Sequence, residues 1–141
     1  MGYTNFWYQK ESFTNGEWDV LKDEANKLIE PFRNDLDIVE DDENVINLNG
    51  VGENSHETFI LTKEKRELDD WEKKSDWIVN DYKEKGAFRF CKTNRKPYDI
   101  IVWNILLKAY EIAPIKLSIS NDDGKQHGSQ GYPKHYNKKE I

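Results

Sequence analysis

Apolar and polar positions alternate, recur at helical spacing, and alternate again along this chain, and each change of period marks an element. From Met1 to Gln9 the run MGYTNFWYQ is dense in Tyr, Phe, Trp and Thr, which suit a pleated strand. Its period of two sets Tyr3, Asn5 and Trp7 on one face and Thr4, Phe6 and Tyr8 on the other, so both faces should be at least partly covered. Asn15-Gly16 marks a turn, and Thr14 or Asn15 stands where it can cap a helix from about Glu17 to Phe32. Within that helix Trp18, Leu21, Ala25, Leu28, Ile29 and Phe32 fall three and four apart as one buried stripe, and Pro31 closes the last turn. The acidic run Asp35 to Glu43 predicts a solvated loop. Val45 to Asn49 and His56 to Thr62 then alternate as the two strands of a hairpin, with Gly50, Val51, Gly52, Glu53 and Asn54 as its turn. A hairpin turn accounts for the glycines of GVG, although they would also let backbone approach a ligand.

Lys63 to Lys85 is strongly charged, with Leu68, Trp71, Trp77, Ile78 and Tyr82 as its main apolar members; their spacing predicts an amphipathic helical excursion, broken near Ser75. Gly86 opens a strand in which Phe88 and Phe90 are expected inward and Arg89 and Cys91 on the opposite face. Thr93 or Asn94 is placed to cap the next helix, Pro97 suits its first turn, and Ile100 to Ile112 is apolar on nearly every side. Pro114 ends it, and Ile115 to Ser120 alternates as a last strand with Ile115, Leu117 and Ile119 on one face. The order predicts a single α+β domain over residues 1–120, with two main helices packed on an antiparallel or mixed sheet of about five strands. Residues 121–141 read as a mostly irregular tail.

Composition narrows the function classes. The 141 residues are 36% hydrophobic, 34% charged and 13% aromatic, enough for one domain that buries roughly two thirds of its unfolded surface. The single cysteine, Cys91, excludes an internal disulfide and suits a reducing, cytoplasmic setting. No apolar run approaches the roughly 20 residues that a membrane helix requires. The net charge of −6 argues against general nucleic-acid binding. It is also uneven: residues 1–81 carry 9 Lys and Arg against 21 Asp and Glu, and residues 82–141 carry 12 against 6. Five basic residues and no acid lie between Lys85 and Lys96.

That basic run ends in FCKTNRKPYD, residues 90–99, where strand meets helix. A helix N-terminus presents unpaired N–H groups, and Lys92, Thr93, Arg95 and Lys96 stand beside it, so the junction is a candidate cradle for phosphate or carboxylate. Tyr3, Trp7 or Tyr98 could stack on a base, which makes a nucleotide-like ligand the natural expectation, with His56 nearby as a further polar contact. An enzyme reading takes Cys91 as nucleophile, His56 as base, and Glu57 or Asp99 orienting it; against it, His56 and Glu57 point to opposite faces of a strand, and a lone cysteine is more often a small buried hydrophobe. A third reading uses the acidic first half to cover a basic host protein. The histidines His56, His127 and His135 lack ligand spacing, so no metal and no cofactor is expected, while an oligomer is allowed.

The opening MGYTNFWYQ, the hairpin NGVGENSHETFIL, the junction FCKTNRKPYD and the ending ISNDDG together resemble a family of small uncharacterised bacterial and phage proteins, over Met1 to Gly124. The resemblance implies no particular activity. It implies a phage setting, with a sequestering or counter-defence role, and it implies that His56, Glu57, Cys91, Lys92, Thr93, Arg95, Lys96, Tyr98 and Asp99 belong together. The charged excursion 63–85 and the Lys-rich tail depart from it.

Overall fold

A computed structural model describes residues 2–128. Seven strands and three α-helices follow in the order β1 (Thr4–Gln9), α1 (Asn15–Ile29), β2 (Leu36–Asp37), β3 (Val45–Gly50), β4 (Phe59–Thr62), α2 (Asp76–Lys85), β5 (Ala87–Lys92), α3 (Asp99–Ile112), β6 (Leu117–Asn121) and β7 (Gln126–His127). The fold is α+β, but its strands divide between two antiparallel sheets, β5-β1-β6-β7 and β2-β3-β4, where the hydrophobic pattern predicts one. No described helix is long and apolar enough to cross a membrane.

Local chemistry explains most boundaries. Thr14 and Glu17 form a capping box at the start of α1, each side chain bonding the other's backbone N–H. Trp18, Leu21, Ala25 and Ile29 are the buried stripe of α1. Pro31 ends the α-helical run at Ile29, and residues 30–35 tighten into a 3-10 turn with Phe32 exposed rather than buried. The acidic loop contributes the two-residue strand β2. Residues 63–71 contain no helix, and α2 starts only where Ser75 caps it. Helix α2 ends at Gly86, whose φ of +102° and the approach of a notional Cβ to within 2.4 Å of the Gln9 carbonyl oxygen admit glycine alone. At the other end of the chain, β7 pairs with β6 inside the segment expected to be irregular; His135 and the rest of that tail lie outside the described residues.

The core lies between α1, α3 and one face of the sheets. Helix α3 buries Ile101, Val102, Trp103, Ile105, Leu106 and Ala109, while its first-turn Ile100 is 63% exposed. Every residue of β1 and of β6 is buried, so the central strands are covered on both faces. The expected facing of β5 is reversed. Pairing Cys91 with Asn5 and Arg89 with Trp7 turns Ala87, Arg89 and Cys91 toward the core side. Phe88 and Phe90 lie on the other face, where Phe88 stacks with Phe6 at 6.1 Å and meets the Tyr8 ring at a tilt, 5.1 Å away. Ile115 is also displaced: it is 81% exposed, and only Leu117 and Ile119 of its predicted stripe enter the core.

Two stitches join the sheets. Glu57 N–H donates to the Lys92 carbonyl at 3.2 Å beyond one end of β4. Beyond the other end, the Gln9 side-chain amide donates to the Thr62 and Lys63 carbonyls at 3.2 Å each, and Phe13 N–H reaches the Lys63 carbonyl at 2.9 Å. No ladder forms between β4 and β5. Counting inward from these stitches sets Ile60 level with Arg89, where the two strand edges are left unpaired.

Candidate functional site

The junction residues do come together, and most are engaged with one another. Lys92 is the hub. Its N–H donates to the Glu57 carboxylate at 2.8 Å, and its carbonyl accepts from Glu57 N–H and from His56 Nδ1, the latter at 2.8 Å. These bonds pull His56 to Thr58 off the predicted strand, so β4 begins at Phe59. The Glu57 carbonyl accepts from the Tyr98 hydroxyl at 2.5 Å and from the Cys91 thiol at 3.5 Å. Thr93, fully buried, donates to Asp99, which also accepts from Asn5 at 2.7 Å.

Neither Thr93 nor Asn94 caps α3: the cap position is Tyr98, without a side-chain bond, and the helix starts at Asp99. Residues Thr93 to Lys96 instead make a tight turn, closed by Lys96 N–H to the Thr93 carbonyl at 3.0 Å, with Asn94 and Arg95 at positive φ. Arg95 lies 4.2 Å over the Tyr3 ring and donates to Asp123 at 3.0 Å; Tyr3 donates to the same carboxylate at 2.9 Å. The Arg95 bond, followed by that from Tyr3, holds the Asp123 carboxyl below its ordinary range. The chain's own Asp99 carboxylate thus stands in the first turn of α3, and Arg95 has its anion in Asp123. Trp7 is 1% exposed and packs edge-on against Phe59 at 5.3 Å, which leaves no face for a base. Burial first, then the Glu57 and Asp99 charges, push the Cys91 thiol up to about 12, away from nucleophile chemistry. Among the described residues no group of three or more His, Cys, Asp or Glu side chains is placed to hold a metal ion.

A different site opens where β4 and β5 fail to pair. It is a cleft of about 510 Å³ walled by Thr58 and Ile60 on one side, Phe88 to Phe90 on the other, and the strap and helix from Arg66 to Tyr82 above. Trp71 is 66% exposed there and Phe90 50%. Arg66 anchors the strap: it bonds Glu72 through two nitrogens at 2.9 and 3.1 Å, and reaches the Phe88 carbonyl at 3.2 Å. The Tyr82 hydroxyl donates to the Arg66 carbonyl at 2.6 Å. Arg66, the largest influence, holds the Glu72 carboxyl below its usual range.

Each carboxylate lining the cleft thus has a cation, Arg66 for Glu72 and Lys85 for Asp81 at 3.6 Å. Arg89 has none. Its half-buried guanidinium meets no acceptor among the described residues, and burial followed by the neighbouring Arg66 charge holds its pKa below the ordinary arginine value. A planar cation poised without a partner beside aromatic surface can take a phosphate or carboxylate through two parallel bonds. In the sequence Arg89 is one more member of the basic run, and only the unpaired edge of β5 sets it apart. A second cleft, of about 570 Å³ between α1, the loop 38–44 and the start of β3, is lined by Glu40, Asp41, Asp42 and Glu43, the wrong sign for an anion.

Comparison with known proteins adds no assignment: no family model, curated protein or solved structure matches the chain.

Proposed function

We propose that the protein binds a small anionic, nucleotide-like ligand in the cleft between β4, β5 and the 66–82 segment, with the anionic group on Arg89. The observation that carries this reading is the half-buried Arg89 guanidinium without an acceptor. Leaving a partly desolvated charge unpaired is costly, so an anion that supplies the missing bonds gains more there than at an exposed lysine. Trp71, Ile60 and Phe90 offer apolar surface to a flat body, and about 510 Å³ suits a ligand of mononucleotide size. Sequestration of such a ligand in a conflict between phage and host is the setting that the sequence resemblance implies. The burial of Cys91 and its raised pKa favour this binding reading over the enzyme alternative.

Thermal-shift titration with the four ribonucleoside monophosphates tests the proposal. At least one should raise Tm by an amount that grows with the logarithm of its concentration. Arg89→Gln should weaken that stabilisation by about tenfold or more in apparent affinity, while the double reversal Arg95→Glu, Lys96→Glu at the junction should leave it intact. Unchanged affinity in the Arg89 variant sinks the cleft assignment, and loss in the junction variant alone moves the ligand to the junction.

A further inference from the structure

We propose that the main chain of Phe90 reads the hydrogen-bonding edge of a nucleobase, making the open edge of β5 the specificity element of the cleft. This rests on the nucleotide reading above and adds to it a recognition mode and a residue.

Strand β5 is the outermost strand of its sheet, with β1 on its only paired side. In an antiparallel pair, alternate residues turn both N–H and C=O toward the partner strand, and the residues between turn both away. The bonds made by β5 on its open side fix which set is which. Arg66 donates to the Phe88 carbonyl, and the Glu57 carboxylate and the His56 ring take the Lys92 N–H and carbonyl. Phe88 and Lys92 therefore face away from β1, and so does Phe90 midway between them. Among the described residues nothing bonds the Phe90 N–H or carbonyl on that side.

The result is one donor and one acceptor side by side, about 3 Å apart in an extended residue. Phe90 is one of the residues that line the mostly apolar cleft, next in the chain to the unpartnered Arg89. An added peptide strand would require successive free pairs along the edge, but the Phe88 carbonyl is already engaged by Arg66, and both Lys92 groups by Glu57 and His56. A single pair suits a short planar edge. Each nucleobase carries a neighbouring donor and acceptor on its Watson–Crick edge, and the next side chain along the strand, Arg89, is the cation to which the proposed function assigns the phosphate.

The test compares each monophosphate with a neutral analogue whose edge is blocked by methyl groups: AMP with N6,N6-dimethyl-AMP, CMP with N4,N4-dimethyl-CMP, GMP with 1-methyl-GMP, and UMP with 3-methyl-UMP. Affinities are measured by calorimetry on the full chain. Every parent that binds should lose at least about tenfold on methylation, ribose 5-phosphate should bind no better than the blocked analogues, and the Phe90 amide should become protected from hydrogen exchange in the complex. Phe90→Leu, which keeps the main chain, should preserve the methylation penalty. Equal binding of parent and blocked nucleotide, with Arg89→Gln still weakening both, overturns the Phe90 reading and leaves the Arg89 site standing. Absence of binding by all four parents overturns both.

Discussion

Cys91 and Arg89 stand two residues apart on the same side of β5 and differ in what surrounds them. The Cys91 thiol is 1% exposed and donates to the Glu57 carbonyl, and its pKa is pushed up to about 12. A thiol of this kind is a structural hydrogen-bond donor. The native protein should therefore resist alkylation by iodoacetamide at pH 8 and react fully once denatured; labelling of the folded chain at the rate of a free cysteine would contradict the assignment. The same shift has a definite sign for stability. The folded thiol keeps its proton where the unfolded one, with its ordinary pKa of about 9, has lost it. Its contribution is complete below pH 9 and is lost progressively as pH rises through about 12, which a series of urea melts across that range would detect. Cysteine chemistry was legible in the sequence only as a pair of alternatives, because one Cys next to a basic run fits both a buried hydrophobe and a nucleophile. Arg89 was not legible at all, since its distinction is a missing partner, and partners come from residues far away in the chain.

At the scale of elements, the strap from Arg66 to Glu72 matters more than its sequence suggests. Arg66 and Glu72 are both largely buried and share a two-nitrogen ion pair, with the Glu72 carboxylate also accepting from Asp69 N–H at 2.8 Å. Glu72→Gln should cost about 2 kcal/mol or more, since it leaves a partly buried guanidinium with a neutral amide. Chemical denaturation would measure the cost. Because Arg66 lowers the folded pKa of Glu72, this contribution is present above the ordinary carboxyl range and fades as pH falls through the lowered value, so the variant and the parent should converge in acid. The strand beneath the strap shows why its facing was misread. In Ala87-Phe88-Arg89-Phe90-Cys91 the alternation is clear, and the larger rings suggest that the phenylalanines point inward. Both faces of β1 are buried, however, and the register with Asn5 and Trp7 decides the matter by giving the core side to Ala87, Arg89 and Cys91. Periodicity found the strand, and tertiary pairing chose its face. Helix starts followed the same division. Thr14 was readable because its box partner Glu17 is local, whereas Thr93 was drawn from the α3 cap position by a contact with Asp99.

Over the whole molecule, the contrast between an acidic first part and a basic second part raises the question of whether the two neutralise each other across the surface. Among the described residues, the ion pairs are mostly local, such as Lys27 with Asp23, Arg33 with Glu30, and Lys108 with Glu111. Of the pairs among the described residues, only Lys116 with Glu17, at 2.7 Å, joins the two parts over a long stretch of chain. The fold is held by the core between α1, α3 and the sheets, while much of the charge remains as a field that ions and ligands experience. Exposed pairs contribute no more than about 1 kcal/mol each and are screened by salt, and the buried apolar cluster is not. Raising salt from about 50 to about 500 mM should thus move Tm by no more than about 4 °C. If Arg89 holds the ligand's anionic group as proposed, nucleotide affinity should weaken several-fold over the same range, because that attraction would be screened at the cleft mouth. Parallel thermal-shift and calorimetric titrations separate the two responses. A fall in Tm of about 10 °C or more would mean that long-range charge pairing, rather than the core, holds the two parts together, and an affinity indifferent to salt would remove the ionic contact from the cleft.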